Sequence, residues 1–112
     1  MAALSATTPS HDGTAVAGAA VAASDTIARS VMGSLGCILI IINGNASPDS
    51  MTISDAGVTP AGTAPGTYAA TVTNGTSKAF LIAPSQCNPT TGNVTITHSV
   101  TSTVTYQLLP IG

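Results

Sequence analysis

The side chains that could do chemistry are few and lie far apart along this chain. Its 112 residues include four acidic and two basic side chains, two histidines and two cysteines. Asp25 and Arg29, four residues apart, are the only opposite charges close together in the sequence. Acid–base catalysis and metal binding both need several such groups to converge on one point. The sequence therefore predicts neither a catalytic site nor a metal site.

The histidines and serines do not form a recognisable active-site motif. His11 lies in a polar N-terminal stretch, whereas His98 alternates with apolar residues of a predicted strand. On an apolar strand face, His98 is expected to be a hydrogen-bonded core residue rather than a metal ligand. The sequence contains no G-x-S-x-G elbow, phosphate-binding loop or dinucleotide fingerprint. We therefore predict a protein that is not an enzyme and carries no cofactor.

The two cysteines predict a buried thiol more readily than a disulfide framework. Cys37 lies inside the most apolar segment of the chain, and free cysteines are among the most buried residues. A disulfide between Cys37 and Cys87 stays open as an alternative in an oxidising environment.

Composition also bears on two classes of partner. Arg29 and Lys78 are the only cations, and two isolated cations cannot displace counterions from a phosphate backbone. A membrane-spanning helix needs about 20 apolar residues, whereas the longest wholly apolar run is residues 37–42. We predict no nucleic-acid partner, no membrane helix and no signal peptide.

The elements that must position these side chains are strands. Apolar residues alternate with threonine in most of the segments after Gly36, and two Asn-Gly pairs predict turns. The predicted strands are residues 37–42, 51–54, 68–73, 78–83, 93–100 and 103–108. The pattern predicts an all-β fold, a small antiparallel β-sandwich or barrel of about six to eight strands. Segment 37–42 is apolar on both faces, as in a central strand that is covered on each side.

The N-terminal part predicts a different organisation. Residues 1–14 are small and polar and show no periodicity, and residues 15–23 are expected to be extended or irregular. The segment from Asp25 to Arg29 is expected to be a solvated loop or a docking contact. We therefore predict a flexible arm over residues 1–30 and a β-sandwich domain over residues 31–112.

The scarcity of charge predicts a role in an assembly. Charged residues make up 5% of this chain, against about a quarter in ordinary soluble domains. Charged side chains are depleted where surfaces become interfaces, because their desolvation is unfavourable. A chain with this composition is more typical of an assembly component than of a free monomer.

Three stretches resemble the small β-sandwich head decoration and minor structural proteins of tailed bacteriophages, especially those of actinobacterial phages. They are ILIIING at residues 38–44, FLIAPS at residues 80–85 and GNVTITHSVTSTVTY at residues 92–106. The resemblance covers roughly residues 36–111 and rests on strand pattern more than on chemistry.

The resemblance implies a capsid decoration, or cement, protein on the outer surface of the phage head. The implied partner is the major capsid protein, and the implied state on the capsid is a homo-oligomer, for example a trimer. The protein would be located in the virion after assembly in the host cytoplasm. The candidate contact residues are His11, Asp12, Val16, Asp25, Arg29, Leu108, Leu109 and Ile111.

Two alternatives remain open at this point. One is a surface-displayed β-sandwich that binds a carbohydrate or receptor, stacking sugars on the two tyrosines, Tyr68 and Tyr106. The pattern places Tyr106 inward with Val104 and Leu108, which disfavours this reading. The other alternative is a structural component of a tail or fibre.

Overall fold

The computed structural model describes residues 2–8, 11, 19–54, 68–88 and 91–111. Within these residues the chain is all-β, which confirms the predicted fold class, and two single-turn 3-10 helices interrupt it at Arg29–Val31 and Pro84–Gln86. The strands are β1 (Ala2–Ala3), β2 (Ala19–Ala20), β3 (Ser24–Ala28), β4 (Gly36–Asn43), β5 (Asp49–Ile53), β6 (Tyr68–Val72), β7 (Ser77–Ile82), β8 (Asn93–His98) and β9 (Val104–Ile111). None of the helical segments in the described part of the chain has the length and hydropathy needed to cross a membrane.

The strands form two sheets with interleaved connectivity. The first sheet has the order β1-β3-β8-β5-β6 and the second has the order β2-β9-β4-β7. Every pairing is antiparallel except that of β1 with β3. From β2 to β9 each strand lies in the opposite sheet from its predecessor, apart from β6, which pairs with β5. This is the strand order of a jelly roll, with β1 added at one edge.

Burial alternates along the strands as the sequence pattern predicts. In β8 and in most of β4 and β9, every second side chain is buried between the sheets. Burying an aliphatic side chain stabilises a fold by about 1.5–3 kcal/mol, so these residues supply most of the driving force. The buried apolar residues are Leu4, Val21, Ile27, Met32, Cys37, Leu39, Ile41, Met51, Ile53, Val72, Ile82, Val94, Ile96, Val104, Tyr106 and Leu108.

Gly36 fixes the start of the central strand β4. Its φ is +105°, a conformation that side-chain-bearing residues rarely adopt. A Cβ atom at Gly36 would lie 2.1 Å from the carbonyl oxygen of Ile82 on β7. The close approach of β4 and β7 at this point therefore requires glycine.

Residues 2–8, which belong to the predicted N-terminal arm, hydrogen-bond to both sheets of the sandwich. The Leu4 amide donates to the Thr26 carbonyl in the first sheet, and the Thr7 amide donates to the Leu108 carbonyl in the second, at 2.9 and 2.8 Å. Leu4 itself is buried. Residues 2–8 thus join the two sheets along one side of the sandwich, and they satisfy backbone groups at strand edges that would otherwise be unpaired.

The predicted domain boundary at residue 31 comes after strand β3 in the chain. β3 lies between β1 and β8 in the first sheet, so the segment predicted as a loop or docking contact is part of the sandwich. The hydrophobic pattern did not predict β3, because the strand has only five residues and one of its two buried side chains is an aspartate. The predictions for residues 9–10 and 12–18 lie outside the described residues.

Candidate functional site

The main cluster of ionisable side chains lies inside the sandwich. Asp25 on β3, Asp49 on β5 and His98 on β8 all face the interior from neighbouring strands of the first sheet. Both carboxylates are fully buried, and the His98 side chain is 1% exposed. A buried charge is tolerated only where it is paired and hydrogen-bonded. The hydrogen bonds around these three residues therefore decide what the cluster can do.

Asp49 is the best-satisfied member of the cluster. Its Oδ2 atom lies 2.6 Å from His98 Nδ1, and because a carboxylate only accepts, Nδ1 carries the proton and donates. The backbone amides of Ser99 and Val100 donate to the Asp49 Oδ1 atom at 3.0 and 3.4 Å. Asp49 thereby ties the start of β5 to the end of β8 and to the chain beyond it.

The other side of the imidazole faces Asp25. His98 Nε2 is buried without a hydrogen-bond partner, and it lies 3.9 Å from Asp25 Oδ2. The Asp25 carboxylate accepts from the Ala22 amide, at 3.1 and 3.3 Å for its two oxygens. The imidazole ring of His98 therefore lies between the two carboxylates.

The geometry of this cluster fits a structural clamp rather than a reaction centre. Its three side chains are shielded from solvent, so a substrate cannot touch them in the folded state. Among the described residues, no group of three or more His, Cys, Asp or Glu side chains is arranged to hold a metal ion. The prediction that His98 is a core residue is confirmed, whereas its contacts with the two aspartates were not anticipated.

The two cysteines are free thiols, as predicted for Cys37. Burial, with a smaller contribution from nearby Cys87, raises the pKa of Cys37 to about 11. Burial also raises the pKa of Cys87, which is only half-buried and has its Sγ atom 3.9 Å from the Met32 Sδ atom.

These environments predict unequal thiol reactivity. At pH 8 a pKa of about 11 leaves only about 0.1% of Cys37 as the reactive thiolate, and the side chain is also inaccessible. We expect iodoacetamide to modify Cys87 in the native protein, and Cys37 only when the chain unfolds. Mass spectrometry of a labelling time course, with Cys87→Ser as the control, measures this. Labelling of both cysteines at one rate under native conditions would contradict the burial of Cys37.

The outer face of the second sheet is apolar and has no cover in the described part of the chain. We call it the apolar face. Burial alternates along β4, so its outward side chains are partly exposed while their neighbours are fully buried. Leu81 on the edge strand β7 is 66% exposed. Its apolar residues are Ile38, Ile40, Ile42, Ala79, Leu81 and Leu109, and the register places Ser77, Thr105 and Gln107 on the same side of the sheet.

The outer face of the first sheet has the opposite character, and we call it the threonine face. Cross-strand register aligns Thr26 with Thr95 and Thr52 with Thr97. The hydroxyls of Thr52 and Thr97 hydrogen-bond to each other across the two strands. The threonine face consists of Thr26, Thr52, Thr71, Thr95 and Thr97, with Ser24 and Ser50 beside them.

The charged side chains that the structure describes lie off both faces. Asp25 and Asp49 are buried between the sheets. Lys78 Nζ donates to the Thr71 carbonyl at 2.9 Å, so this cation bridges the edges of the two sheets. Arg29 lies in the 3-10 turn after β3, where its Nη1 donates to the Gly33 carbonyl at 3.4 Å.

Two of the predicted contact residues are not on the surface. Asp25 is 0% exposed and Leu108 is 1% exposed, because both point between the sheets. Neither side chain therefore lies on the outer surface, and the inward position of Leu108 agrees with the strand pattern. Asp25 lies two residues before buried Ile27, and Leu108 lies two residues after buried Tyr106, so each side chain is on the inner face of its strand.

The other predicted contacts have mixed locations. His11 and Arg29 are exposed, while Leu109 and Ile111 are partly exposed near the end of β9. Asp12 and Val16 lie outside the described residues. Of the predicted set, Leu109 belongs to the apolar face. A contact role for these residues stays a prediction.

Tyr106 faces inward, as the sequence pattern predicts. Its side chain lies in the core with 7% exposure, and its hydroxyl accepts a hydrogen bond from the Ser5 amide at 3.0 Å. A ring in this position cannot stack on a sugar.

Comparisons with known proteins give no functional assignment. No protein-family model matches the chain, and no curated protein or solved structure is significantly similar to it. The strand order, the buried cluster and the two outer faces are therefore the features from which a function is inferred.

Proposed function

We propose that this protein is a non-enzymatic virion structural protein that decorates the outer surface of a tailed-phage head and stabilises it. The observation that carries the proposal is that neither outer face of the sandwich has a charged side chain among the described residues. A free monomer normally covers such faces with Lys and Glu, which keep neighbouring molecules apart. Faces without charge are suited to burial against other subunits.

The two faces support assembly by different interactions. The apolar face gains free energy by leaving water, at about 25 cal/mol per Å² of apolar area buried. The threonine face offers hydroxyl donors and acceptors together with methyl groups, so it can hydrogen-bond a protein surface without desolvating an ion. A decoration protein needs both properties, because it contacts coat subunits and its own neighbours.

The fold is compatible with this role. The jelly-roll order occurs in viral capsid domains as well as in lectins and cupins, although a fold alone does not specify a function. The resemblance at residues 38–44, 80–85 and 92–106 favours the capsid among these. Binding at many sites stabilises a particle by mass action, since each bound copy favours the assembled state.

Burial of Tyr106 disfavours the carbohydrate-binding alternative, since that ring is unavailable for stacking. The tail or fibre alternative differs from decoration in its binding partner, so isolated tails serve as its test.

Co-sedimentation of the full-length chain with isolated tailed-phage heads, and separately with tails, tests the proposal. The full chain is used because a chain that begins at residue 31 would lack β3. We expect saturable binding to heads and an increase in the temperature at which heads disassemble. Thr95→Asp places a charge on the threonine face, and Leu81→Asp places one on the apolar face. A charge on the face that docks is expected to weaken binding to heads by about tenfold or more. Binding to tails alone, to neither particle, or to a glycan array would contradict the decoration role.

A further inference from the structure

We propose that the apolar face is a self-association surface, covered in the working protein by the apolar face of a second copy of this chain. The inference goes beyond the proposed function, because it requires only this chain and no capsid.

The main observation behind this inference is the amino-acid composition of β4. Ile41 faces the first sheet and is fully buried, yet its neighbours Ile40 and Ile42 have the same apolar side chain and face outward. A half-buried strand normally alternates apolar and polar residues, whereas a strand apolar on both faces has protein on both sides. The first sheet covers only one side of β4. The pattern of β4 therefore calls for a second layer of protein.

The neighbouring strands extend the apolar surface beyond β4. Register places Ile38 between Leu81 of β7 and Leu109 of β9, which makes a continuous row of three large aliphatic side chains. The next row contains Ile40 between Ala79 and Gln107. Leu35, 68% exposed, donates its amide to the Ile111 carbonyl at 2.9 Å and lies beyond this apolar end.

Charge and area indicate a second copy as the occupant. A partner with charged groups would leave them without counter-charges against this face, which is unfavourable, whereas two copies of an uncharged face bring no like charges together. The four strands have two, eight, eight and six residues, so at about 3.3 Å per residue and about 4.8 Å between strands they present about 380 Å². Two such faces bury about 760 Å², the size of a weak and reversible interface. Face-to-face packing of sheets, about 10 Å apart, already forms the core of this fold.

Sedimentation velocity of the full-length chain over a range of concentrations tests this inference. We expect a reversible equilibrium between the 10.9 kDa monomer and a dimer. Leu81→Asp places two like charges in the interface, and Ile40→Thr keeps the β-branched shape while removing apolar contact. Each is expected to raise the dimer dissociation constant by about tenfold or more. Thr71→Asp is the matched control, because it puts the same charge at an exposed edge-strand position of the threonine face.

Circular dichroism establishes that each variant is folded before its dimer dissociation constant is measured. If Leu81→Asp does not fold, Ile40→Thr still tests the inference. A chain that stays monomeric up to about 1 mM, a dissociation free energy below about 4 kcal/mol, would overturn the inference. So would a dimer weakened by Thr71→Asp and unaffected by the apolar-face variants. A monomer whose capsid binding is lost in Leu81→Asp would assign the face to the coat protein, overturning self-association and retaining decoration. A dimer that binds no capsid would retain self-association and overturn decoration.

Discussion

Replacing Asp49 by alanine is expected to destabilise the protein by about 2–4 kcal/mol, because a buried histidine donor and nearby backbone amides lose a carboxylate acceptor. The substitution removes the acceptor of the buried His98 Nδ1 and one acceptor from each of the Ser99 and Val100 amides. The Ser99 amide keeps its hydrogen bond to the Ser50 carbonyl at 3.1 Å. A buried donor left without a partner costs about 1–3 kcal/mol. Domains of this size are stable by about 6–17 kcal/mol in total, so the variant loses a large share of its stability.

Urea unfolding followed by circular dichroism measures this effect. Ser50→Ala is the control, since Ser50 is the exposed neighbour of Asp49 on β5, and a change within about 0.5 kcal/mol is expected there. A double-mutant cycle with His98→Ala isolates the Asp49–His98 pair, and we expect a coupling free energy of about 1–3 kcal/mol. Additive effects of the two substitutions would show that the pair does not clamp β5 to β8.

Truncation of Ile41 to alanine is expected to cost about 2–5 kcal/mol, whereas the same change at Ile40 is expected to cost about 1 kcal/mol or less. The residues are adjacent on β4, so strand propensity and position in the sheet are matched. They differ in that Ile41 is fully buried between the sheets and Ile40 faces outward. The difference between the two losses of unfolding free energy therefore measures how much more deeply the inner face of β4 is buried than its outer face within one molecule.

Thermal unfolding at a low protein concentration, where the monomer dominates, gives this comparison. The Ile41 variant is expected to lower the midpoint strongly at every concentration. The Ile40 variant is expected to lower the midpoint by a larger amount as the protein concentration rises. The reason is that dimer formation stabilises the folded state of the unsubstituted chain by mass action. Equal destabilisation by both variants in the monomer would mean that the apolar face is already covered within the chain.

The strands could be predicted because their pattern is local. Alternation at residues 93–100 and the long apolar run at 37–42 correspond to β8 and β4. The short strands β1 and β2 could not be predicted, since two alanines have no periodicity and their pairing is set by distant strands. The closing of the sandwich by residues 2–8 was missed for the same reason.

The buried cluster was missed because its members are far apart in sequence. Asp49 and His98 are 49 residues apart, and only the register of β5 with β8 brings them together. Asp25 was paired with Arg29 by helical spacing, although the segment is a strand. A signal was present: each of these polar residues lies two positions from a core residue, so strand parity places it on the inner face. For His98 that core neighbour is Ile96.

The apolar run at residues 37–42 predicted a strand covered on both sides, and the described residues cover one side. The prediction is correct for the position of β4 in the middle of its sheet, between β9 and β7. We propose that the second cover comes from an assembly, because a sequence pattern does not distinguish a layer from the same chain from a layer supplied by another molecule.

Cryo-electron microscopy of tailed-phage heads saturated with the full-length chain tests the central claim most directly. The claim is that neighbouring subunits cover the two outer faces of this jelly roll, which have no charged side chain among the described residues. The account predicts density at fixed positions over the junctions of coat subunits, with the apolar faces of two copies packed together. Bare heads, or copies whose two outer faces both remain in solvent, would contradict it.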